Sequence, residues 1–337
     1  MRVLIVGSPY IASYKIGIEQ PFRELQRHGV CHYKVRQDFE ADKNDVAAAD
    51  VILFFRTVHP GAYNLLREAK EMGKKTVYVI DDYFLAMSPG SESGQFYHDP
   101  MRREVYSRFI REAEMVKVAS DYFARHLERH YHPRRVVSFT GSVDFQMLDR
   151  LEKPQKRDGR IHIGYEGGRK ESAFEPVIQA LRGVARTYGN RVKIEFFGYI
   201  PDGLEDLHQV TFAQYDPDYR NFLRRLYQSN WDIGLAPLEE TLLHNCKTNN
   251  KFREYAACGI AGIYADTPPY QGWVKHGVNG LLTRAQSRGW YEAICELIER
   301  PSLRQQIREH AQADAREHFT IAACAKRWHE EILQDQK

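Results

Sequence analysis

Long apolar runs are absent from this chain of 337 residues. No segment approaches the ~18 consecutive apolar residues that a membrane-spanning helix needs, so no such span is expected. Cysteine is scarce: Cys31, Cys246, Cys258, Cys295 and Cys324 are scattered, odd in number and without a C-x-x-C pair. That pattern argues against a disulfide framework and for a reducing compartment. An excess of one charge is also missing. Lys and Arg number 48 against 45 Asp and Glu, a net of +3, so charge alone implies neither a nucleic-acid partner nor an acidic tail. The two halves share no obvious sequence repeat. The chain opens directly on an apolar strand, M-R-V-L-I-V-G, so no secretory leader is expected. A cytoplasmic location is expected, with peripheral contact to the inner face of a membrane left open.

What the chain has in quantity is alternation. Its hydrophobic share of 43% and aromatic share of 12% suit packed cores, and its length is comfortable for two of them. Apolar runs at 2–6, 51–55, 76–80, 115–119 and 135–139 read as strands. They are continuous, as expected when both faces of a strand are buried. Helical stretches lie near 61–72, 100–113 and 121–130, and a helix from Gly17 to a stop at Gly29 follows a loop after the first strand. The charged, aperiodic segment 149–160, D-R-L-E-K-P-Q-K-R-D-G-R, reads as a linker. A second series follows, with strands at 161–165, 192–197, 208–212, 232–236 and 260–264 and helices near 172–188, 217–228, 250–257 and 289–299. Two more helices close the chain after Pro301. The expectation is an α/β protein of two domains, 1–148 and 161–318, each a parallel sheet wound with helices on both faces. In such sheets functional groups gather at strand carboxyl ends. In the first half that selects the loops Gly7 to Gly17, Arg56 to His59 and Asp81 to Tyr83, together with Ser120.

The most informative stretch runs from Trp231 to Leu282. A strand, Asp232 to Ala236, meets Pro237 and a polar loop that ends in Thr248. A short helix carrying Glu254 follows, Gly259 stops it, and a second strand runs from Ile260 to Tyr264. Thr248 is expected as the N-cap, with the free N–H groups behind it turned to an anion. Lys247 and Lys251 add positive charge beside that helix start, and Glu254 is placed to accept hydrogen bonds from a polyol such as ribose. Earlier, the strand I-H-I-G leads into Y-E-G-G-R-K. There Gly167 and Gly168 permit close backbone approach, and Arg169 and Lys170 can contact a diphosphate.

The strings L-A-P-L, K-T-N-N-K-F-R-E-Y-A-A-C-G-I and H-G-V-N-G-L-L, in that order, resemble the donor-nucleotide site of the family 4 glycosyltransferases. The resemblance implies the GT-B fold, two Rossmann-like domains whose parallel sheets face a central cleft, with the last helix (319–337) crossing back to the first domain. It implies transfer of a sugar from a nucleoside-diphosphate sugar to an acceptor hydroxyl, on a glycan, a lipid-linked or a small-molecule acceptor. Relatives mostly retain anomeric configuration. No cofactor and no metal are implied, the nucleotide sugar being the donor substrate. Glu254 matches the second Glu of an E-x7-E pair, the one that holds ribose. The first would fall at position 246, which is Cys246, and Lys247-Thr248 resembles a sub-group with Lys-Ser in this loop. The donor-binding residues implied are Gly168, Arg169, Lys170, Lys247, Thr248, Asn249 and Glu254. The string I-D-D-Y-F resembles a sub-group with I-D-D where many relatives carry His. Asp81 and Asp82, with Lys247, are therefore the catalytic candidates, meeting sugar hydroxyls or orienting the acceptor. In the family the loop holding Tyr10, Tyr14 and Lys15 lies over the cleft near diphosphate and acceptor.

Other constellations have plainer readings. Asp216-Pro217-Asp218 is a D-x-D, but Asp and Pro are ordinary start signals for the helix behind them. His126, His130 and His132 offer the i, i+4 spacing of metal ligands, yet the string is H-L-E-R-H and not H-E-x-x-H, and Arg129 and Arg134 would repel a cation. Cys258 in A-A-C-G reads as core. Two rival functions stay open: a sugar-nucleotide epimerase on the same fold, and a non-catalytic homologue that binds a nucleotide sugar or glycan.

Overall fold

A computed structural model of the chain describes residues 1–156, 158–168 and 171–334. It divides into two compact units. The first comprises Met1–Ser142, Thr241–Thr248 and the chain from Phe319; the second comprises Val143–Glu240 and Asn249–His318.

The first unit is built on six parallel strands, β1 (Arg2–Gly7), β2 (His32–Arg36), β3 (Val51–Phe55), β4 (Lys75–Val79), β5 (Met115–Val118) and β6 (Val136–Ser138), in the order β2-β1-β3-β4-β5-β6. The continuous apolar runs serve two cores at once. Val3, Ile5, Leu53 and Phe55 meet Phe22, Trp328 and Ile332, whereas Leu4, Val6, Ile52 and Phe54 meet the helices Pro60–Glu71 and Pro100–Glu112. The strand order reverses between β1 and β3. There Gly7 adopts φ +146°, and a Cβ on it would lie 2.4 Å from the Phe55 carbonyl oxygen. Only glycine fits that approach.

The second unit repeats the plan with β7 (Ile161–Glu166), β8 (Val192–Phe197), β9 (Val210–Ala213), β10 (Ile233–Ala236), β11 (Ala261–Ala265) and β12 (Leu281–Thr283), in the order β12-β11-β10-β7-β8-β9. All its pairings are parallel, and β7 and β10 pair Ile163 with Ile233 and Gly164 with Gly234. Its order reverses between β7 and β10, so the carboxyl ends of those two strands flank the crevice where open sheets of this kind bind ligands. Residues from the expected linker are tied into this unit: Asp149 to Arg316, Lys153 to the Cys258 carbonyl and Lys156 to Asp232.

Several expectations change. Helix begins at Ala12 rather than Gly17, with a π-helical turn at Lys15–Glu19 before the α-helix Gln20–Arg27. Tyr14 is accordingly no loop residue. It is buried and packs on Phe55 with ring centroids 5.7 Å apart. The strand β2 carries no continuous apolar run; it lies at a sheet edge, where one flank meets no neighbouring strand. Among the described residues no helix is long and apolar enough to cross a membrane.

Candidate functional site

In the second unit the helix Asn250–Ala257 follows β10 through the loop that precedes it in sequence. Its seat is set by a glycine. A Cβ on Gly234 would lie 2.7 Å from the Tyr255 ring, so the bare strand admits that ring, and the Tyr255 hydroxyl donates to the Leu235 carbonyl at 2.8 Å. The residue at the N-cap is Asn249, not Thr248. Asn249 is buried, and Arg253, wholly buried one turn on, donates to the Asn250 side chain at 2.6 Å.

This seating brings Glu254 to Glu166, the last residue of β7. Both carboxylates are buried, at 4% and 5% exposure. Lys251 lies with them: its ammonium hydrogen-bonds Glu166 and stands 4.0 Å from Glu254. Burial pushes the Glu254 carboxyl up to about 7, and the Glu166 charge adds to the push against the pull of Lys251 and Arg253. Two carboxylates at a strand end can accept hydrogen bonds from vicinal hydroxyls, because ionised carboxyl groups only accept, whereas the ammonium beside them only donates. Beside them Gly167 takes φ +135°, and the Gly168 carbonyl accepts from the Tyr165 hydroxyl at 3.0 Å. Arg169 and Lys170 lie outside the described residues.

Glu166 is the residue that sequence reasoning missed. It stood in the string Y-E-G-G, and its place as the final residue of an apolar strand was the available signal. Lys251 was read as positive charge beside the helix start; the structure pairs that charge with Glu166.

The first unit holds a second constellation. Asp81 and Asp82 follow β4. Arg56, at the end of β3, makes a two-pronged contact with Asp81 while its guanidinium lies 5.0 Å from the Phe84 ring centroid. Its φ of +52° is one that few non-glycine residues adopt. Burial would raise the Asp81 carboxyl, but the Arg56 charge outweighs it and holds the group below its usual range, helped by Ser13. Asp82 takes a different partner, with Lys247 Nζ 3.2 Å from each of its oxygens. The catalytic candidates Asp82 and Lys247 are thus brought together, while Asp81 is committed to Arg56. Cys246 is fully buried in the first unit's core.

The other constellations are local. Asp218 caps the helix Tyr219–Ser229 by accepting from Asn221 N–H at 3.0 Å, and Asp216 accepts from Asp218 N–H at 2.9 Å. The His126 ring packs, tilted, between His130 and Tyr83 with centroids at 4.5 and 4.6 Å, and burial lowers its pKa.

No protein-family model matches the chain, and no curated protein matches its sequence. Solved structures do match. Anabaena HepE in complex with UDP-glucose superposes with a TM-score of 0.68 at 16% identity, over 99% of both chains. A glycosyltransferase from Rickettsia africae gives a TM-score of 0.68 at 12% identity, again over 99% of both chains. Sucrose-phosphate synthase from Thermosynechococcus elongatus gives 0.67 at 12% identity, over 99% of this chain and 98% of that one. These likenesses show the fold, which is that of the GT-B glycosyltransferase structures.

Proposed function

We propose that this protein is a glycosyltransferase that moves a sugar from a nucleoside-diphosphate sugar to an acceptor hydroxyl. The observation that carries the reading is the buried Glu166–Lys251–Glu254 cluster at the crevice between β7 and β10, in a fold shared with HepE in its UDP-glucose complex. In this reading Glu254 and Glu166 accept hydrogen bonds from the ribose hydroxyls. The N-terminus of the helix Asn250–Ala257 meets the diphosphate, where backbone N–H groups and the helix dipole favour an anion. Arg169 and Lys170 are assigned to the same diphosphate, together with Lys247.

The reaction forms a bond between the acceptor oxygen and the anomeric carbon. The bond from that carbon to the diphosphate oxygen breaks, and its electron pair stays on the diphosphate. The acceptor proton passes to that leaving group. Charge therefore grows on the diphosphate, and fixed cations and dipoles aimed there lower the barrier without a metal. Asp82 is assigned to orienting the acceptor hydroxyl. Family 4 and a retaining outcome are part of the proposal.

A thermal-shift screen against UDP, GDP, dTDP and CMP sugars tests it, followed by turnover with the best ligand. Stabilisation by one nucleotide sugar and its consumption to nucleoside diphosphate in the presence of an acceptor is the expected result. Binding without turnover would leave only a binding protein, and release of an epimerised free sugar without acceptor would make it an epimerase.

A further inference from the structure

The loop Thr241–Thr248 lies in sequence between β10 and the helix Asn250–Ala257, both of the second unit, yet it is part of the first. Three contacts hold it there. Cys246 is fully buried and joins the apolar cluster that contains Phe84, Tyr106 and Phe123. Ser120, the N-cap of the helix Asp121–Tyr131, donates its hydroxyl to the Cys246 carbonyl at 2.9 Å. Lys247, the next residue, reaches both oxygens of Asp82.

The thiol itself has no chemistry to offer. Burial, aided by the Asp82 charge, pushes it up to about 12, and the thiolate is the form that acts as nucleophile or metal ligand. What remains is its volume and its apolar character. An uncharged side chain seated in a packed core, with its own carbonyl held by Ser120, fixes the backbone at position 246. The backbone of the neighbouring Lys247 is then held where its ammonium reaches Asp82. A carboxylate at 246 would instead be buried beside Asp82 without a cation of its own, which burial penalises heavily.

We propose that Cys246 is a positioning residue, which plugs the loop into the core of the first unit and so holds the Lys247 ammonium on Asp82. Its value for catalysis rests on the assignment of Lys247 to the donor diphosphate under the proposed function.

Iodoacetamide labelling of the intact protein, mapped peptide by peptide, tests the plug without any turnover. Cys295 is only partly buried whereas Cys246 is buried, so Cys246 is expected to label at least about tenfold more slowly. Equal rates would overturn the proposal. Ser120→Ala should speed Cys246 labelling several-fold and leave Cys31 and Cys324 unchanged; labelling of Cys246 as slow as in the wild type would show that the Ser120 bond does not anchor it. Where turnover is found, Cys246→Ala, which stays apolar but removes volume from the packed site, should lose several-fold in kcat. Cys246→Glu should lose about tenfold or more in kcat with little change in donor KM, although it supplies the carboxylate of the E-x7-E pattern. Wild-type turnover in both variants would overturn the positioning role. Absence of turnover with every donor would count against the proposed function, and the labelling arm would still decide the plug.

Discussion

Glu254 sits between opposing pulls. Burial and Glu166 favour its protonated form, Lys251 and Arg253 the ionised one, and the balance leaves it near 7. The unfolded chain sheds this proton near 4.5, so between the two values the folded state holds more protons. This contribution to stability is therefore complete below about pH 4.5 and is lost as pH rises to about 7. Chemical denaturation at pH 5 and pH 8 should show that loss in the wild type and a flatter profile in Glu254→Gln. The same substitution should weaken nucleoside-diphosphate binding at pH 8 by about tenfold or more, since a hydrogen bond to a charged group is worth ~1.5–3 kcal/mol. Calorimetry returning the wild-type affinity would remove Glu254 from the donor site.

Lys247 gives the second residue-scale test. Its ammonium is partly exposed and pairs with Asp82, a setting in which an ion pair contributes no more than ~1 kcal/mol to stability. A point charge on a leaving diphosphate matters far more to the rate, by analogy with an oxyanion donor worth ~10²-fold or more. Lys247→Ala should therefore lose turnover by about that factor while its melting temperature moves little. Wild-type turnover in this variant would reject the phosphate role.

At the scale of elements, the misplaced N-cap shows what local sequence cannot decide. Thr248, Asn249 and Asn250 are all residue types that cap helices, and only the backbone torsions place the cap at Asn249. The edge strand β2, H-Y-K-V-R, was illegible for a related reason: its exposed and half-buried residues leave no apolar run to read. Other helix starts were legible because one side chain settles them. Asp218→Ala should cost about 1 kcal/mol of stability through the lost cap and leave turnover unchanged; a collapse of turnover would revive Asp218 as a ligand. Packing within an element can be equally strict. A Cβ on Gly164 would fall 1.9 Å from the Trp231 ring, so Gly164→Ala should destabilise by about 1–3 kcal/mol or more, read by urea unfolding.

For the whole molecule, the proposed chemistry draws its positive charge from the chain itself. Turnover should accordingly survive excess EDTA to within about twofold, and loss restored by Mg²⁺ or Mn²⁺ would instead make Asp216 and Asp218, or Asp81 and Asp82, metal ligands. The sequence by itself determined the α/β class and most strand positions, because burial on both faces writes a continuous apolar run into each central strand. It also marked Glu254, Lys247 and the Asp81–Asp82 pair, since strand ends and helix starts are local features. Only the tertiary structure joined Lys251 to Glu166, gave Asp81 to Arg56 and Asp82 to Lys247, and placed Cys246 in the first unit's core. Those pairings set which charges are neutralised and which proton is kept. They depend on distances between residues 25 to 165 positions apart, and Coulomb and desolvation energies follow distance and burial in space rather than order along the chain.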